Sequence, residues 1–242
     1  MGQSTPAVLA LLRHLEKVGF DGAPRVDARL PALTAHGPLA APLPMIGGEL
    51  RLPGEPVGDI RPWPHWTYDD ETLWQVAQWL REYHTAVAGF VPPADAIWRV
   101  GGTWEPGLII GHNNAAPYNA SWSSGRITGF SGWDFAGPVT PTADLALIAY
   151  AWVPLTARSS AQAAGFTAFE DRPRRLRLLL NAYRWSGTLR DFIHEVRDRM
   201  SAAIHDIRRL SAAGDAGCQS LIATGVDKAL AAGVQELATF PS

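Results

Sequence analysis

The 242-residue chain carries 21 basic and 23 acidic side chains, a net charge of −2, and 47% apolar residues. That balance leaves no basic footprint for nucleic acid, and a single cysteine, Cys218, excludes an internal disulfide and a thiolate zinc site. No apolar run approaches the roughly 18 residues of a membrane span, and the first residues lack the basic start and long apolar core of a secretory signal. The expectation is a cytoplasmic protein with neither membrane nor nucleic acid as partner.

Taken in order, Ser4-Thr5-Pro6 reads as a capped helix start. Val8, Leu11, Leu12 and Leu15 follow at helical spacing up to Gly19. Val26 and Leu30 suggest a short extended piece. Residues 32–62 are rich in Pro and Gly, predicting two or three short strands and a connector around Gly47-Gly48-Glu49. Arg61-Pro62-Trp63-Pro64-His65-Trp66 is a rigid aromatic stretch, with two readings: indoles packed at a lobe junction, or a stacking wall for a flat ligand built from Trp63 and Trp66. Asp69-Asp70-Glu71 caps a predicted helix running to about Thr85, with Leu73, Val76, Leu80 and Tyr83 inward and Trp74 and Trp79 in the core.

The central stretch is Leu108 to Asp144. Leu108-Ile109-Ile110 leads into Gly111-His112-Asn113-Asn114-Ala115-Ala116-Pro117-Tyr118-Asn119, a loop with one imidazole and three carboxamides. Asn119–Trp122 and Ile127–Phe130 read as a hairpin about Ser123-Ser124-Gly125. A second polar loop follows, Ser131-Gly132-Trp133-Asp134-Phe135-Ala136-Gly137-Pro138. One hairpin joins both loops, so they are expected side by side. Beyond them, Pro141 opens a helix through Trp152, Arg158 to Asp171 reads as a loop, and Arg172 to Tyr183 reads as a helix. Its Arg172, Arg174, Arg175 and Arg177 suggest a solvated face paired with Glu170 and Asp171. Thr188 caps the longest helix, and Gly217 to Leu237 forms a last helix or pair of helices. Cys218 is expected buried and inert.

The two loops resemble the active-site hairpin of the aminoglycoside phosphotransferase family, a branch of the protein-kinase-like fold. His112-Asn113-Asn114, four residues and Asn119 match its first loop, and Gly132-Trp133-Asp134-Phe135-Ala136 its second. Stretches at Pro6–Val26, Gly89–Pro93, Trp152–Leu155 and Arg174–Leu179 are similar as well. The resemblance implies an α+β, protein-kinase-like fold of the aminoglycoside phosphotransferase type. It implies a reduced N-terminal lobe and hinge over 1–62, and a mostly helical C-terminal lobe over 63–242 built round the catalytic-loop hairpin. It also implies that Asp144 is structural, bracing the first loop.

Phosphoryl transfer needs a carboxylate base and carboxylates that hold magnesium. Where the family has those acids this chain has Asn114 and Gly132, and a carboxamide is not a base at neutral pH. Only two of the 21 basic residues are lysines, Lys17 and Lys228, and both fall in helical patterns, whereas the family's phosphate-binding lysine sits on a strand. ATP and magnesium are therefore expected to be lost, leaving no cofactor. The expectation is a degenerate phosphotransferase whose old cleft serves a small molecule, as a cofactor-free cyclase, isomerase or lyase of secondary metabolism. His112, Asn114 and Asp134 would be its catalytic residues. Asn113, Tyr118, Asn119, Trp133, Trp63, Trp66 and Trp104 would contact the substrate. Two alternatives stand beside it: a non-catalytic pseudokinase that binds a small molecule or a protein, and a residual ATP-dependent phosphotransferase. A homodimer capping the reduced lobe is also expected, since unpaired sheet edges are usually covered.

Overall fold

Apolar residues at three- and four-residue steps build the first helix, α1 (Thr5–Lys17), which buries Val8, Leu11, Leu12 and Leu15 and stops at Gly19, whose φ of +75° ends it. The computed structural model describes residues 5–26, 52–58 and 60–241. The connector expected around Gly47-Gly48-Glu49 and the extended residue Leu30 lie outside the described residues. Of the strands expected in 32–62, β1 (Glu55–Pro56) is described.

The chain divides into two compact units, one made of residues 1–58 and 79–141, the other of 59–78 and 142–242. These units interleave along the chain, whereas the resemblance implies lobes over 1–62 and 63–242. The central hairpin groups with the N-terminal segment because its aromatic residues share a core with α1 and the end of the second helix. That helix, α2 (Asp70–Val87), starts on Asp70 and Glu71, as the dipole favours. Its inward stripe is Leu73, Val76, Leu80, Tyr83 and Val87. Trp79 is buried as expected, but Trp74 is 45% exposed, because it stands a third of a turn away from that stripe.

In the first unit, β2 (Ile109–Gly111) pairs antiparallel with β5 (Gly137–Val139), setting Ile109 against Val139 and Gly111 against Gly137. The hairpin β3 (Ala120–Ser123) and β4 (Arg126–Phe130) forms a second sheet with β1, with Ala120 opposite Phe130 and a bulge between Ser121 and Trp122. The core beneath is aromatic: Trp79 stacks on Tyr83 at 5.5 Å and meets Phe130 edge-on at 4.5 Å, and Tyr83 meets Trp133 at 5.3 Å.

The second unit is helical. α3 (Pro141–Trp152) is apolar on nearly every side and buried on nearly every side. The stretch expected as a loop after Arg158 contains a helix, α4 (Arg158–Ala163), whose first amide donates to the Glu236 carboxylate. α5 (Arg172–Tyr183) corrects the expected solvated arginine face, since Arg172 and Arg175 are buried. Arg175 donates to the carbonyls of Tyr68 and Trp152, and Arg172 donates to Thr156 while lying 4.7 Å from the Phe169 ring. Protein carbonyls thus replace the water these guanidiniums would otherwise need. Arg174 remains at the surface. α6 (Leu189–Ala212) is capped by Thr188, whose hydroxyl accepts the Asp191 amide. It packs with α7 (Ala216–Ala223) and α8 (Val226–Glu236), where Arg208 pairs with Asp227 at 2.8 Å and Cys218 is buried. No helix among the described residues is long and apolar enough to cross a membrane.

Candidate functional site: the paired polar loops

The chain leaves β2 at Gly111, crosses to β3 at Ala120, returns along β4 and re-enters β5 at Gly137. Both crossings run between the same two sheets, so the loops 112–119 and 131–136 lie side by side. Asn119 joins them: its amide nitrogen donates to the Asn114 carbonyl at 2.7 Å, and its carbonyl accepts the Ser131 amide at 2.9 Å. Asn114 reaches back with its own amide toward the Gly132 carbonyl at 3.5 Å, and its side-chain oxygen accepts the Tyr118 hydroxyl at 2.7 Å. Asn113 is held at a φ of +58°, and its buried amide donates to the Gly137 carbonyl at 3.3 Å. The Asn114 carboxamide and the Asn119 backbone carbonyl thus tie the two loops together, while the Asn119 carboxamide closes the first loop on itself and that of Asn113 ties it to β5.

Gly132 has a φ of +79°. A Cβ added there would stand 2.7 Å from the Asn119 amide carbon and closer still to its nitrogen. The space beside residue 132 is therefore filled by the side chain of Asn119.

His112 is fully buried, ringed by Trp133 at 4.3 Å, Trp79 at 5.9 Å and Phe130 at 6.1 Å. Its Nδ1 accepts the Asn114 amide at 3.2 Å. That makes His112 a fixed part of the loop's wall, sealed from solvent. Trp133 is buried too, and its indole donates to the Phe130 carbonyl at 2.8 Å. Asp134 is half-buried and forms an ion pair with Arg99. The same guanidinium lies 4.5 Å from the Phe135 ring.

Arg99 was not among the candidates. Its signal was present in Trp98-Arg99-Val100, where a charged residue sits between two apolar ones. The segment is anchored by buried Trp98 and by Gly137, where an added Cβ would stand 2.6 Å from Val100 and 3.5 Å from Trp98. Trp104 donates to the Leu108 carbonyl at 2.9 Å, at the start of β2.

The remaining candidates belong to the second unit. Trp63 is bonded through its amide to Ala164 at 2.9 Å and lies 4.1 Å under Arg61, and Trp66 sits in the short turn His65–Tyr68. Asp144 is fully buried in the first turn of α3. Within that unit its charge acts on Arg199 and Tyr183: burial lowers the Arg199 pKa and Asp144 partly offsets this, while burial, then Asp144, push the Tyr183 hydroxyl up to about 12.

No family model matches the sequence. The trifolitoxin immunity protein of Rhizobium leguminosarum bv. trifolii is 32% identical to it over 212 residues, which cover 85% of this chain and 73% of that protein.

Proposed function

The chain belongs to the family of the trifolitoxin immunity protein, and on that footing we propose that it protects the cell that makes it against a toxin of that kind. Protection works by binding at the paired loops, without phosphoryl transfer. The frame of those loops is that of a phosphotransferase of the aminoglycoside type, within a kinase-like fold, and its polar groups have been turned inward. Supporting that ancestry are the residues of the two loops and the order of strands that carries them. Supporting the loss of chemistry is one observation above the others: the side chain of Asn119 fills the space beside Gly132.

Magnesium and a nucleotide do not fit the groups present. Magnesium asks for several oxygens, carboxylates above all, in octahedral array. Position 132 has no side chain, and the Asn119 carboxamide supplies one neutral oxygen while its nitrogen is held by the Asn114 carbonyl within the first loop. The Asn114 oxygen already accepts from Tyr118, and Asp134 is paired with Arg99. A cofactor-free acid–base reaction also finds little support, since His112 is sealed and Asp134 is neutralised by an ion pair. A binding role asks only that the loops hold a fixed shape, and the carboxamide stitching supplies that.

Expression in a trifolitoxin-sensitive bacterium tests the proposal. Cells carrying the wild-type protein should grow at toxin concentrations that arrest cells with an empty vector, and toxin recovered from them should have unchanged mass. Protected cells whose toxin has gained a phosphate would overturn the binding mechanism. Cells as sensitive as the vector control would overturn the immunity function.

A further inference from the structure

We propose that Arg99 is the positioning residue of the loop pair: its guanidinium cross-links the second loop from outside, as a bound divalent cation would, and makes the order of the site independent of metal. This deepens the functional reading above, whose site it shares.

Three observations carry it. Arg99 grips two residues of one loop turn at once, the Asp134 carboxylate by an ion pair and the Phe135 ring by stacking. A guanidinium suits both contacts, because it is planar, always charged and more weakly hydrated than an ammonium. The ion pair is sheltered, with side-chain exposures of 20% for Arg99 and 31% for Asp134, so water screens it less than a surface pair. The donor segment is itself rigid: Trp98 is buried, and the bare Gly137 lets Trp98 and Val100 press against β5. Arg99 is therefore fixed on one side of the loop, while the Asn119 backbone carbonyl, which accepts the Ser131 amide at 2.9 Å, fixes the other. Together they hold Ser131 to Phe135 between two tethered polar groups, in place of the acids and ion that the resemblance implies.

Hydrogen exchange of the full chain tests this, read on peptides covering residues 131–136 in magnesium chloride and in EDTA. The wild type should exchange equally slowly in both. Arg99→Ala should exchange roughly tenfold faster there with α6 unchanged, which shows that the rest of the fold persists. Arg99→Lys keeps the charge but loses the planar fork, and should fall between. Exchanging the partners, Arg99→Asp with Asp134→Arg, should restore slow exchange, a rescue that general loss of packing would not give. Unchanged exchange in Arg99→Ala, or a wild-type loop that slows only with magnesium, overturns the proposal. Should Arg99→Ala fail to fold, Arg99→Lys and the exchanged pair decide: wild-type exchange in the first, or no rescue in the second, overturns it. The toxin assay fails separately: an unprotected wild-type strain sinks the immunity function, while the exchange results still judge Arg99.

Discussion

Gly132 and Gly125 share a φ of +79°, yet their surroundings differ. A Cβ at Gly125 meets nothing within 4 Å, whereas at Gly132 it runs into Asn119. The pair separates backbone strain from crowding. Gly125→Ala should cost about 1 kcal/mol of strain, and Gly132→Ala should cost a further 1–3 kcal/mol or so for the forced displacement of Asn119. Combining Gly132→Ala with Asn119→Ala should bring the crowding cost close to zero, a coupling that urea denaturation of the four proteins would measure. Equal costs at the two glycines would mean that Asn119 does not fill that space.

At this scale the sequence was half legible. The residue types in the two loops could be read, because Asn for Asp and Gly for Asp are plain substitutions. Their geometry could not, because a carboxamide is both donor and acceptor and nothing local says which way it faces. Arg99 escaped for a related reason. It lies 35 residues from Asp134 along the chain, and the glycine that lets its segment approach, Gly137, is in β5.

Periodicity and caps carried most of the helices. α1, α2, α5 and α6 lie close to where apolar spacing and the Thr188 cap placed them. α4 was missed because six residues containing Ser, Ala and Gln show no apolar period, and its first amide relies on Glu236 far along the chain. The arginines of α5 were misjudged because burial of Arg172 and Arg175 depends on carbonyls of distant segments. Arg174 behaves differently. It bonds Asp70 and Asp171 at 2.6–2.8 Å, fastening the start of α2 to that of α5, and holds both carboxyls below the usual carboxylate range. A lowered folded-state pKa gives stability that is present above the unfolded value, near pH 4, and lost as the pH falls through the folded one. Arg174→Gln should therefore shrink the loss of stability on going from about pH 5 to about pH 2, modestly because solvent screens the partners. An acid limb as steep in the variant as in the wild type would show that the pairing adds nothing.

For the molecule as a whole, the hairpin and its two loops were legible because turn residues punctuate them so clearly. The division into units was not, since it depends on Trp79, Tyr83, Phe130 and Trp133 meeting in one core from segments far apart in sequence. Nor did the residues reveal the immunity family, which emerged from a relative sharing 32% identity. What unites these observations is the proposal that the loop pair has exchanged ion-binding groups for internal ones. Isothermal titration of the wild-type protein with magnesium-ATP addresses that exchange most directly. No binding heat should be detected at millimolar nucleotide. A micromolar dissociation constant that disappears on Asn119→Ala would mean that the loops still grip a metal nucleotide, contrary to everything inferred from their stitching.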